Sequence, residues 1–238
     1  WFRSPLGKVV FSQEKEQLEY ILPGLFGYHI LQFGYTAEFH FLSSSRIANK
    51  TILFLDHIET KKEINMSVRT TAEDLPIAID SIDVALLPHV LEYSKDAHKL
   101  LRELERILIP EGYAIIIGIN PYSLWGLWHM IFCWWGKMPW SGHLISVSRM
   151  KDWLSLLDFE IEKVKFFFFS PPLSNIRLLK KFLPLERLGK HCYPIFGGLY
   201  VVVAKKRVTP LTPTRMKWRQ KQNILGAEFI EPTSREIT

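Results

Sequence analysis

The sequence predicts an α/β fold with a largely parallel, doubly wound sheet, on three observations. Apolar, β-branched runs of strand length alternate with a segment of clear helical period, which is the order of strand–helix–strand units. One of those runs, residues 113–119, is apolar at every position, as expected of a strand covered on both faces. Hydrophobic residues make up 47% and charged residues 23% of 238 residues, enough to bury one large core without metals or disulfides.

In chain order, residues 28–33 and 51–55 read as the first two strands, and the stretch 38–47 between them has room for a helix. A third short run, residues 65–70, leads to Glu73, Asp74, Leu75 and Pro76, a turn by composition. Residues 81–87 form the next strand, interrupted by the single acid Asp83. Ala97, Leu100, Leu101, Leu104, Ile107 and Leu108 then recur at helical spacing behind Asp96, a fitting N-cap, and Pro110, Glu111 and Gly112 stop that helix. The strand at 113–119 follows and implies a right-handed crossover.

No Asp, Glu, Lys or Arg occurs from Gly112 to Gly136, yet Asn120, Pro121 and Ser123 divide this span. It reads as a buried strand followed by an aromatic helix at 124–135 rather than as one membrane span. A helix at 148–157, a strand at 160–168 and a last strand at 199–205 complete the pattern, with a proline-containing insertion between the last two strands. The expected organisation is one domain over residues 1–206, with a core at about 28–120, an aromatic helix or lid at about 121–147, and a basic, disordered tail at 207–238.

Composition narrows the function classes. Cys133 and Cys192 lack metal-ligand spacing, so no zinc site or disulfide framework is expected. The opening residues lack a secretory signal pattern, which predicts a cytoplasmic protein. The formal net charge is +6, and the stretch from Arg207 onward contributes six basic and three acidic residues, half of the excess. No interleaved basic and aromatic groove appears in the core, so a nucleic-acid role would fall to the tail.

Leu75-Pro76, Asp80-Ser81-Ile82-Asp83 and Leu87-Pro88-His89-Val90-Leu91-Glu92, followed by Leu100 to Gly112, resemble the methyltransferase type 11 family of class I S-adenosylmethionine enzymes. Gly118, Asn120 to Leu127, and Lys205 to Pro213 extend the likeness to a bacterial subgroup with a degenerate glycine-rich loop. The resemblance implies a Rossmann-like seven-stranded sheet, mostly parallel with a reversed strand at the C-terminal end. It also implies S-adenosylmethionine lying across the carboxyl ends of the first strands.

The resemblance assigns candidate residues, each with a plainer alternative. Gly34 stands where the family places three glycines, and Gln32 where an acid is common; a simple strand-to-helix turn is the other reading. Asp56, with His57 and Glu59 nearby, is placed to bind the ribose hydroxyls or to cap a strand. Glu73 and Asp74 would meet the adenine amino group or lie on a turn surface. Leu87, Pro88 and His89 end the fourth strand beside the methyl group, where an imidazole acts as general base or packs under the cofactor. Asp83 is read as structural.

Two further features carry function readings. Asn120-Pro121-Tyr122 is weakly similar to the motif with which DNA amino-methyltransferases grip an exocyclic nitrogen, and a turn is the better reading. Trp125, Trp128, Phe132, Trp134, Trp135 and Trp140, with Phe166 to Phe169, form either packing or a surface for a bilayer or a lipophilic acceptor. The functions in play are methyl transfer to a small or lipophilic acceptor, an inactive scaffold on the same fold, and nucleic-acid binding through the tail.

Overall fold

A computed structural model describes residues 4–34, 41–55, 67–70, 75–132, 142–172 and 194–207. The chain begins with a helix that the strand pattern did not predict, α1 (Pro5–Ile21). Ser4 caps it by accepting from the Gly7 N–H at 3.1 Å, and Pro5 occupies the first turn, where its missing N–H is harmless. Its stripe of Leu6, Val10, Leu18 and Ile21 is buried, and Glu14 and Gln17 lie on the same stripe.

The strands are β1 (His29–Gly34), β2 (Asn49–Leu55), β3 (Ser67–Thr70), β4 (Ile82–Pro88), β5 (Leu108–Ile119), β6 (Phe159–Phe167) and β7 (Leu199–Lys206). They form one sheet in the order β3-β2-β1-β4-β5-β7-β6. β1 to β5 pair in parallel, while β7 runs antiparallel to both β5 and β6. The helices are α2 (Val90–Tyr93), α3 (Ala97–Ile107), α4 (Leu124–Phe132) and α5 (Val147–Leu156). Asp96 caps α3 through the Lys99 N–H at 3.0 Å, as its position predicts.

Differences from the expected elements have local causes. Residues 42–44 form a 3-10 turn, not part of a longer described helix. Pro110 to Gly112 do not separate α3 from β5; the strand begins at Leu108, and the Pro-Glu-Gly stretch is an irregularity within it. Glu111 there has φ 65°, the left-handed conformation typical of bulged backbone.

Strand alternation sends side chains into two core layers. Val84, Leu86, Ile115, Ile117 and Val201 pack with α1 and Trp125, whereas Ala85, Leu87, Ile116 and Val202 pack with α3 and α5. Two ionic staples close the sheet edge formed by the amino ends of β1 and β4. Asp83 Oδ2 accepts the Tyr28 and His29 N–H groups at 3.0 and 2.8 Å, the structural role expected of it. Lys206 Nζ donates to the Glu105 and Leu108 carbonyls at 2.7 and 2.8 Å and pairs with Asp80 at 3.0 Å. With these contacts satisfied, Lys206 is a structural cation.

Candidate active site

β1, β2 and β4 run in parallel and end on the same edge, and the strand order reverses between β1 and β4. In open α/β sheets such a reversal, at the carboxyl ends of the strands, is the usual place of the ligand crevice. Gly34 closes β1 at this edge. A Cβ built on it would meet only Ile52 Cγ2 at 3.6 Å, Phe54 Cε1 at 3.7 Å and Gln32 Nε2 at 3.9 Å, all ordinary contacts. The protein's own packing therefore does not demand glycine here.

Gln32 is buried, and its Oε1 accepts the Phe41 N–H at 3.1 Å. It ties β1 to Phe41, the next described residue after Gly34. Phe41 in turn packs against Phe11 of α1 with ring centroids 4.8 Å apart.

The centre of the site is an ionic triad. His89 follows β4 with φ 55° and ψ 16°, a left-handed conformation that is uncommon for a residue with a Cβ. Its Nδ1 lies 3.0 Å from Glu92 Oε2 and its Nε2 lies 2.6 Å from Glu14 Oε1, with all three side chains buried. The other Glu92 oxygen accepts the Ile119 N–H at the end of β5. Burial alone would disfavour charge on His89, but the Glu14 and Glu92 carboxylates outweigh it and push its pKa up to about 10. It is therefore an imidazolium with both N–H groups donated to carboxylates.

An imidazolium with both N–H groups donated has no lone pair with which to accept a proton, so of the two readings of His89 this geometry favours the packing and orienting role over the general base. Glu14 and Glu92 were not singled out in the sequence. Glu14 had a detectable signal: it sits on the buried stripe of α1, four residues after Val10, where an apolar side chain is the default.

Leu87 is buried in the layer under α3, so it offers the crevice backbone rather than side chain; Pro88 pairs in register with Ile117. The turn at 75–77 is clamped from α3. Arg106 donates to the Leu75 and Ile77 carbonyls at 3.0 and 2.9 Å, and Glu103 accepts the Leu75 N–H at 3.2 Å. The charge-assisted Arg106 bonds hold Glu103 below the usual carboxylate range. Glu73 and Asp74, immediately before this clamp, lie outside the described residues, as do Asp56, His57 and Glu59.

The aromatic segment divides. Trp125 is fully buried: it donates Nε1–H to the Ser170 carbonyl at 2.9 Å and meets Phe168 edge-on at 5.6 Å. Phe167, Phe168 and Phe169 are buried as well, so these four aromatic residues are core and not an interaction surface. The exposed apolar groups of α4 are instead Leu124, Leu127, Met130 and Ile131. Trp134, Trp135 and Trp140 fall outside the described residues, as does the tail beyond Arg207. Among the described residues no helix is long and apolar enough to cross a membrane.

Asn120 is a turn residue. Its amide nitrogen donates to the Ile195 and Gly197 carbonyls at 2.7 and 2.9 Å and its oxygen accepts the Tyr122 N–H. Both amide hydrogens are committed to backbone, leaving none to grip a base.

Comparison with known proteins agrees with this architecture. A family described as "Methyltransferase domain" matches residues 48–116. An uncharacterized protein of Escherichia coli (strain K12), YafS, is 32% identical over 219 residues, 91% of this chain and 84% of its own. An S-adenosylmethionine-dependent methyltransferase from Thermotoga maritima, titled a possible histamine N-methyltransferase, superposes with a TM-score of 0.63 at 18% identity. That match covers 87% of this chain and 93% of the other. One from Mesorhizobium loti gives 0.57 at 18% identity, covering 80% and 96%. A protein titled a [4+2]-cyclase, SpnF, gives 0.56 at 14% identity, covering 88% and 85%.

Proposed function

Because the chain belongs to the class I S-adenosylmethionine-dependent methyltransferase family, we propose that it transfers a methyl group to a small or lipophilic acceptor. The observation that supports this reading is the strand-order reversal between β1 and β4, where β1 ends on Gly34, a glycine that the protein's own packing does not require. S-adenosylmethionine, the family's cofactor, supplies an already activated methyl group, so the protein's task is to bind, align and exclude water.

The residues present fit such a molecule. Gly34 carries no side chain at the end of β1, and Gln32 ties that strand to Phe41. Asp56 comes directly after the end of β2 and is assigned to the ribose hydroxyls. Glu73 and Asp74 follow β3 and are assigned to the adenine amino group, beside the turn that Arg106 and Glu103 clamp. Leu87 and Pro88 contribute backbone at the methyl side. His89 is a positioning residue, holding Glu14 of α1 and Glu92 of α2 against the end of β4.

Calorimetry of the intact chain tests the reading. S-adenosylmethionine and S-adenosylhomocysteine should bind, and Gly34→Ala should weaken both by about tenfold or more, a loss of ~1.4 kcal/mol, without changing the unfolding temperature. Failure of well-folded wild-type protein to bind either compound would sink the proposal. It would favour a scaffold on the same fold, a reading supported by the locked imidazolium at His89.

A lipophilic acceptor or a peripheral bilayer contact is supported by the exposed Leu124, Leu127 and Ile131, which share one face of α4. Co-sedimentation with liposomes should be reduced in Leu127→Ser/Ile131→Ser and in Trp134→Ala/Trp135→Ala. Equal sedimentation of wild type and both variants argues against the contact. Deleting residues 207–238 should leave acceptor methylation intact; a salt-dependent loss of nucleic-acid binding on that deletion would instead support a role for the tail.

A further inference from the structure

Glu14 uses only half of its carboxylate in the triad. Its Oε2 is buried and has no hydrogen-bond partner, and the same holds for Gln17 Oε1 one turn further along α1. Glu14 is 0% and Gln17 6% exposed, so neither atom is satisfied by bulk water. Residues three apart on a helix are neighbours on one face, so both side chains lie on the buried stripe of α1.

The charge is unbalanced in the same direction. One imidazolium faces two carboxylates, and among the described residues neither carboxylate pairs with a Lys or Arg. A buried, incompletely paired carboxylate is costly unless something donates to it. No metal-ligating group of three forms among the described residues. A positively charged N–H donor beside the end of β4 would complete the pairing of Glu14 Oε2.

We propose that Glu14 Oε2, with the side-chain amide of Gln17, forms a binding site for the ammonium group of the methyl acceptor. The assignment rests on the methyltransferase reading above and narrows it to nitrogenous, cationic acceptors. The contact recognises a charged nitrogen and transfers no proton. The Gln17 amide can present either its oxygen or its nitrogen, so the carboxylate supplies the selectivity for charge.

The test uses the intact chain and paired probes: phenethylamine against 2-phenylethanol, and hexylamine against hexan-1-ol, titrated with and without saturating S-adenosylhomocysteine. A charge-assisted bond to a buried carboxylate should make each amine bind about tenfold or more tighter than its alcohol. Glu14→Gln should abolish that preference. Gln17→Leu, which leaves the Glu14–His89 bond in place, should reduce it by about threefold while the protein remains folded. Equal binding of amine and alcohol to wild type overturns the proposal, as does a preference that survives Glu14→Gln.

A second arm separates acceptor from cofactor. S-adenosylhomocysteine carries an ammonium group and methylthioadenosine does not. If Glu14→Gln weakens the first and spares the second, Glu14 holds the cofactor's ammonium and the acceptor assignment is overturned. If both bind the variant as they bind wild type, the acceptor assignment stands. Absence of S-adenosylhomocysteine binding to wild type would remove the methyltransferase reading, whereas the amine preference measured without it reports on the Glu14 site alone.

Discussion

Replacing His89 by Asn removes the only cation from the buried triad while keeping a residue that tolerates the left-handed backbone at φ 55°. Asn is too short to reach both Glu14 and Glu92, so two buried carboxylates lose their shared partner. Breaking a buried ion pair from one side costs ~3–5 kcal/mol. For a chain of this size each kcal/mol moves the unfolding midpoint by ~2–4 °C, so thermal denaturation at pH 7 should show a fall of about 6–20 °C.

The pH dependence gives that prediction a second edge. Folding raises the His89 pKa from 6.5 to about 10, so the folded state holds the proton more tightly. The resulting stabilisation is complete below pH 6.5 and is lost as the pH rises through about 10. The gap between wild type and His89→Asn should therefore narrow steadily across that window. A variant that melts within about 2 °C of wild type at pH 7, or a gap that stays constant from pH 6.5 to 10, would refute the imidazolium triad.

Three other substitutions separate structure from site. Trp125→Ala should destabilise by ~3–5 kcal/mol in urea denaturation, because a fully buried indole and its bond to Ser170 are lost together. Asp83→Ala removes the acceptor for two β1 amides at the sheet edge opposite the crevice; it should cost about 1–3 kcal/mol and leave cofactor affinity unchanged by calorimetry. Arg106→Ala frees the Leu75 and Ile77 carbonyls and should weaken S-adenosylhomocysteine binding by about threefold or more through a loosened adenine-side turn, with kcat for any acceptor affected less than KM.

Most of the sheet was legible because its signals are local. The strands at β1, β2, β4, β5 and β7 are largely apolar runs, β6 alternates apolar and charged residues, and all their ends differ from the expected ones by one or two residues except at the start of β5; α3 announces itself by Asp96 and its leucine spacing. Gly34 and Gln32 were locatable because they end a strand. α1 escaped notice because its apolar stripe is broken by the polar residues Glu14 and Gln17. The surface role suggested for Trp125 and Phe167 to Phe169 failed for a related reason: aromatic residues look alike in sequence whether they face solvent or core.

The order of elements, the two-sided sheet and the family likeness follow from residue patterns within a few turns of chain, and the sequence alone determines them. The state of His89 depends on Glu14, 75 positions away, and on Glu92 after the same strand. Only folding brings those carboxylates to its two ring nitrogens, and only their opposed charges turn a candidate base into a fixed cation. Tertiary structure likewise decided which oxygen of Glu14 is left without a partner, because that depends on every group packed around it.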